Sequence, residues 1–452
     1  MKIINIILVL CVPIWVHAQS WLSNESTVLE NNNFAVDTYA QKIKALESDV
    51  LIGISKKQGS HYHFTALFDG NSIIHESDLG NPNLHISNFC ILKDWIYFCG
   101  KIDLSSSNSL GIIGRFEIED FLDDGNFSYE ITQIPNVENL VDLVAYIADD
   151  EPNVTRIVAI GDGASQGCMV CLDDKNNPNF DYTVLECPSF LGVKEVFHDI
   201  TFNEKYVIML SHVYPSNHFI IRYAYKEYPE LFQTHQQADY HFPNQSFIYT
   251  FEQREYPLHL ALLPDDLLAV STTAADTQNN FFTMINFIRV GDLNNSPTNQ
   301  VIYHQDKMIR TLEMEYSVER DSLLLLESTN LFGSGWMESV SFVNPWTQAP
   351  YISRTKYLPN TESLNHLCIV PDHGYAAAGS GYLSSNQLYW IKSVNNSLYS
   401  CDKYEHIKID TTTQGGASSF VPLNLSVSAI PCQWNGDNAW NIPMQINIEC
   451  QN

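Results

Sequence analysis

Five side chains with coordinating or proton-transfer chemistry occupy matching places along this chain: Asn88, Asp199, His259, Glu315 and His366. Each lies on a short, otherwise apolar stretch that leads into a turn, so each interrupts a pattern that reads as buried strand. The corresponding place in the first unit holds Ile43, and the third unit offers no secure equivalent. If the stretches stand around a common axis, the five polar groups converge. Histidine and carboxylate together suit a transition metal, whereas oxygen donors alone suit calcium. The competing expectation is hydrogen bonding between neighbouring units, which satisfies buried polar groups with no ligand at all. A slip of one residue in the alignment would carry a side chain to the opposite face.

The elements that must position these groups recur. The clearest unit is residues 374–392, GYAAAGSGYLSSNQLYWIK: two strands, 375–379 and 387–392, joined by a polar Gly/Ser/Asn loop. Six similar hairpins precede it, with first strands centred near Ile52, Tyr97, Val158, Ile208, Ala269 and Leu324. The mean spacing is about 54 residues, within the range typical of radial or linear repeats. Asp, Asn or Gly turns often precede the first hairpin strand, at Lys93-Asp94, Asp265-Asp266, Arg320-Asp321 and Asp372-His373-Gly374. Each unit holds about four strands, with residues 398–407 expected as the last strand of the seventh. Helix is confined to single turns such as residues 117–122. The fold class expected is all-β: a seven-bladed β-propeller over residues 37–408 with a short C-terminal β-hairpin appendage over 410–452. In the appendage, two alternating stretches flank Asn435-Gly436, a hairpin turn signal.

The repeat resembles exported bacterial β-propellers whose blades read strand, Asp/Gly turn, Tyr-rich strand ending in Gly, polar loop and aromatic strand. Asp372-His373-Gly374-Tyr375-Ala376-Ala377-Ala378-Gly379 and Trp95-Ile96-Tyr97-Phe98-Cys99-Gly100 carry the likeness. The glycine is missing from several units, as in residues 207–211. The resemblance implies the fold and no particular activity.

Residues 1–18 read as a signal peptide: Lys2, an apolar run over 3–16, then Val16-His17-Ala18 as the cleavage site. Export to the periplasm, cell surface or exterior is expected, with no transmembrane segment in the mature chain. Among 452 residues, 52 acidic against 24 basic side chains give a formal charge of −28. Such a surface repels phosphate backbones, which argues against nucleic acid. Ten cysteines are present, Cys11 within the leader. Cys90 and Cys99 flank the turn at Lys93-Asp94 and are expected to face each other, as are Cys171 and Cys187 across their loop. Cys168 and Cys171, three apart on a strand, point to opposite faces.

No metal and no cofactor are assigned from these motifs; calcium alone stays open, through the Asp/Asn-rich loops at 173–177 and 291–295, which lack EF-hand spacing. The function expected is a secreted or surface binding or scaffold module, monomeric, engaging a protein or glycan through its loops. The alternative is a carbohydrate-active enzyme, hydrolase or lyase, with its site at the channel mouth.

Overall fold

The computed structural model describes residues 26–30, 38–47, 50–57, 61–68, 72–123, 128–149, 151–163, 166–175, 181–186, 195–213, 218–227, 229, 237–241, 259–275, 281–290, 298–303, 307–331, 335–343, 345–346, 354–358, 361–371, 374–381, 388–393 and 408–413. The signal peptide, the appendage beyond Thr413, the 291–295 loop and residues 398–407 lie outside them.

The described chain is almost wholly strand, with one short helix, α1 (Ile118–Leu122), where a single helical turn was expected. Seven antiparallel sheets follow one another. The first is β2 (Thr38–Ala45), β3 (Val50–Lys57), β4 (Tyr62–Phe68) and β5 (Ser72–Asp78). The second is β6 (Leu84–Leu92), β7 (Trp95–Ser105), β8 (Asn108–Glu117) and β9 (Glu130–Ile134). The third is β10 (Val137–Ile147), β11 (Thr155–Gly163), β12 (Gly167–Asp174) and β13 (Asp181–Glu186). The fourth is β14 (Glu195–Phe202), β15 (Tyr206–Val213), β16 (His218–Tyr225) and β17 (Gln237–His241). The fifth is β18 (His259–Leu263), β19 (Leu267–Ala275), β20 (Phe281–Arg289) and β21 (Thr298–Tyr303), extended by β29 (Lys408–Thr413). The sixth is β22 (Lys307–Ser317), β23 (Ser322–Leu331), β24 (Gly335–Val343) and β25 (Arg354–Leu358). The seventh is β26 (Thr361–Val370), β27 (Gly374–Gly381) and β28 (Leu388–Ser393).

The fourth strand of the seventh sheet is a correction to the sequence reading. It is β1 (Ser26–Glu30), from the other end of the chain, antiparallel to β28 with Ser26 opposite Ser393 and Glu30 opposite Tyr389. A five-residue strand in a polar segment has too little apolar alternation to announce itself.

The second strand of each sheet is buried on both faces, because neighbouring sheets cover it from either side. Continuous apolar runs result: Ile157–Val158–Ala159–Ile160, Val207–Ile208–Met209–Leu210 and Leu323–Leu324–Leu325–Leu326 are each fully buried. Between the first two sheets, Phe64 packs edge-on against Phe89 and Phe116, with centroids 5.6 and 4.8 Å away. Ile43 and Leu51 of the first sheet pack with Cys368, Val370, Ala376 and Ala378 of the seventh. Cys168 and Cys171 belong to apolar clusters on opposite sides of the third sheet, as their spacing requires.

The expected Cys90–Cys99 bridge is not formed. The two-residue turn pairs Leu92 with Trp95, which puts Cys90 opposite Tyr97 and Cys99 opposite Asn88. Both thiols are free; Cys187, the partner expected for Cys171, lies outside the described residues.

Candidate functional site

One backbone device, repeated, builds the site. Six innermost strands carry a β-bulge at the same place: between Ala40 and Lys42, Ile86 and Asn88, Leu140 and Asp142, Phe197 and Asp199, Thr311 and Glu313, and Leu364 and His366. In the fifth sheet the strand simply begins at His259. The residue after the bulge always faces the equivalent residue of the second strand: Ile54, Cys99, Ile160, Leu210, Leu326 and Ala378, with Ser271 opposite His259. A bulge bends its strand and re-aims the next side chain.

The device also explains the glycine that closes the second strand. Gly100 and Gly161 lie against the bulged backbone. A Cβ on Gly100 would sit 1.9 Å from the His85 carbonyl oxygen, and one on Gly161 2.1 Å from that of Asn139. Ser55 and Ser211 take the same place in sheets one and four.

The shared position therefore holds Lys42, Asn88, Asp142, Asp199, His259, Glu313 and His366. Four of these, Asn88, Asp199, His259 and His366, are where the sequence alignment put them. Lys42 replaces Ile43, whose side chain is fully buried in the apolar seam with the seventh sheet. Asp142 fills the place left open in the third unit. Glu313 replaces Glu315, because the β22–β23 turn is longer than the two-residue turn of sheet two. Ser317 pairs with Ser322 and leaves four residues between them, so counting back from Asp321 stops two residues short of the bulge. Glu315 shares the face of Glu313 one step along, as Lys44 does with Lys42.

Contacts run from sheet to sheet. Asn88 donates through Nδ2 to Oδ1 of Asp142. Asp142 Oδ2 accepts from the Ile200 N–H at 3.2 Å, and Asp199 Oδ2 from the Leu260 N–H at 2.8 Å. His259 Nδ1 lies 2.9 Å from Glu313 Oε1, and His366 Nε2 lies 3.3 Å from Glu313 Oε2. His366 Nδ1 accepts from the Ile43 N–H at 3.4 Å, which leaves the Nε2 proton to face Glu313. Lys42, on sheet one, comes within 3.9 Å of Glu313 on sheet six, with sheet seven between them in the order. The side chains therefore converge and are not merely paired along seams.

Charge is unevenly distributed over the group. Burial pushes the Glu313 carboxyl up, but His259, His366 and Lys42 outweigh it and hold the group well below its ordinary value. Burial, Asp142 and Glu313 push Asp199 well above the carboxylate range, and burial raises Asp142 against the pull of Lys42 and Lys44. Burial holds the His366 ring well below an ordinary histidine, so it is neutral. One step along, burial lifts Glu315 to about 7 against the pull of Lys44. Lys44 is raised because Glu315, Asp142 and Glu313 outweigh its own burial. A carboxyl held low and carboxyls pushed high thus stand in one cluster, the contrast of environments that separates a proton acceptor from a proton donor.

Four-stranded meanders in series, with polar side chains gathered from their innermost strands, define a protein of the β-propeller class. No protein-family model matches the chain, and no curated protein matches it. Among solved structures, the chain is similar to polysaccharide lyase Uly1, with a TM-score of 0.48, 9% identity and coverage of 79% of this chain and 90% of that one. It is also similar to a Penicillium chrysogenum alpha-L-arabinanase complexed with arabinobiose, with a TM-score of 0.40, 9% identity and coverage of 83% and 98%. A third is the Bombyx mori GH32 beta-fructofuranosidase BmSUC1, with a TM-score of 0.34, 9% identity and coverage of 87% and 93%. Among the described residues, no helix is long and apolar enough to cross a membrane.

Proposed function

We propose that this chain is an exported, monomeric, seven-bladed β-propeller acting as a carbohydrate-active enzyme, a hydrolase or a lyase, at the mouth of its central channel. The observation that carries this reading is the convergence of three carboxyl groups and two imidazoles at one repeated backbone position, aimed there by bulges. Cleavage of a glycosidic link needs carboxylates or imidazoles on both sides of the bond, held in fixed relation by rigid elements. Strands of seven sheets supply that rigidity. The seven-blade reading is supported by the seam of Ile43 and Leu51 with Cys368, Val370, Ala376 and Ala378, which brings the seventh sheet against the first.

A scaffold acting through a broad apolar surface fits less well. Among the described residues the exposed large apolar side chains are Leu104, Tyr182, Tyr225, Val318 and Trp346, contributed by four different sheets. The test is a panel of neutral and uronic-acid polysaccharides incubated with the purified mature protein. New reducing ends report cleavage of either kind; the ultraviolet absorbance of an unsaturated uronate accompanying them identifies a lyase, and its absence a hydrolase. Retention of a polysaccharide without cleavage would replace the enzyme with a binding module.

A further inference from the structure

We infer that Asp199, His259 and Glu313 form a binding site for one divalent first-row transition ion, of the Zn²⁺ type. One oxygen of each carboxyl and one ring nitrogen of His259 lie within 4.8 Å of one another. His259 and Glu313 are both 7% exposed, and Asp199 is half-buried.

A second, independent observation points to a ligand. Nε2 of His259 is buried and has no hydrogen-bond partner among the described residues. Its other nitrogen is engaged by Glu313 at 2.9 Å. A buried ring nitrogen left unmatched destabilises the fold unless something fills the place.

The other donors are equally held. The Leu260 N–H fixes Asp199, while the Met314 N–H and His366 fix Glu313, at 2.8, 3.2 and 3.3 Å. The mixed nitrogen and oxygen set selects the ion. Zn²⁺ accepts few ligands of either kind, whereas Ca²⁺ takes six to eight oxygens. Lys42, 3.9 Å from Glu313, stands as a competing cation that the ion must displace. The site stands independently of the carbohydrate reading, since a bound ion can serve structure or catalysis alike.

The test uses the untagged mature chain, stripped with EDTA and dialysed, then titrated separately with Zn²⁺, Co²⁺ and Ca²⁺ by calorimetry. One Zn²⁺ per chain is expected, together with visible d–d bands on adding Co²⁺. His259→Ala should weaken Zn²⁺ binding by about 100-fold or more. Asp199→Asn, which preserves shape, should weaken it and shift the Co²⁺ bands, and serves alone if His259→Ala does not fold. Lys42→Met should tighten binding. No uptake of Zn²⁺ or Co²⁺, unchanged affinity in a folded Asp199→Asn variant, or preference for Ca²⁺ overturns the site. A chain that cleaves polysaccharide but binds none of these ions sinks the metal and leaves the enzyme standing. A loaded chain inert toward every polysaccharide does the reverse.

Discussion

His259 and Glu313 meet across the seam between the fifth and sixth sheets, Nδ1 to Oε1 at 2.9 Å, with both side chains buried. On its other oxygen the same carboxylate faces His366 from the seventh sheet. One acid therefore ties three consecutive sheets. Removing it leaves two buried imidazoles without their carboxylate partner and Lys42 without its nearby counter-charge. Glu313→Ala should cost about 3–5 kcal/mol in urea unfolding. A loss under about 1 kcal/mol would show that the seam does not depend on this group.

The bulge makes a separate demand on backbone space. Gly100→Ala drives a methyl to 1.9 Å from the His85 carbonyl oxygen, so the two strands must separate. A loss of about 3 kcal/mol or more is expected. Gly80, at φ +67° with open space around it, provides the contrast: Gly80→Ala should cost about 1–2 kcal/mol from conformation alone. Equal thermal shifts in the two variants would contradict the steric account.

Thiol reactivity reports on the innermost strands. Burial pushes the Cys90 and Cys368 thiols up to about 12 and that of Cys99 well above its usual value. Native alkylation at mildly alkaline pH should be slowed by about 1000-fold at Cys90 and Cys368 relative to an open thiol. Peptide mapping after timed labelling measures this. Rapid labelling of Cys368 in folded protein would mean that the seam between sheets seven and one opens readily.

The N-terminal strand should act as a strap. Deleting residues 26–30 strips the outer edge of β28 and should lower stability by about 2–5 kcal/mol through lost backbone hydrogen bonds alone. Hydrogen exchange in the truncated protein should rise first in residues 388–393. Uniform exchange across all sheets would argue for a different role.

At the edge of the second sheet, burial pushes Asp103 up, but Lys101 and His85 outweigh it and hold the carboxyl below its ordinary value. A depressed acid stabilises the fold above its unfolded pKa, and that contribution is lost as pH falls through the lower folded value. His85 lies 2.8 Å from Asp103, so His85→Gln should move the Asp103 titration upward in an NMR experiment. An unmoved titration would assign the whole effect to Lys101.

Much of this architecture was legible because apolar hairpins recur and each supplies its own turn chemistry. Most of the shared polar position was legible too, since Asn88, Asp199, His259 and His366 break runs that are otherwise apolar. Glu313 and Lys42 were not, for one physical reason. Register was counted from the turns, and turn length differs between sheets while the bulge keeps its place relative to the second strand. Counting from that strand would have found both, because Lys42 and Glu313 each face its fifth member, in the runs Val50–Ile54 and Ser322–Leu326. Asp142 was hidden likewise by the two irregularities within β10. The strand Ser26–Glu30 could not be found by periodicity, because it completes a unit begun at the far end of the chain.

That shared seventh sheet has a consequence for biosynthesis. The opening strand leaves the ribosome first and must wait, its edge unmatched, until β28 has been made. Throughout that interval six finished meanders can form while both flanks of the array stay sticky to neighbouring nascent chains. A chaperone holding the segment around residues 26–30 would therefore guard against two molecules lending each other their straps.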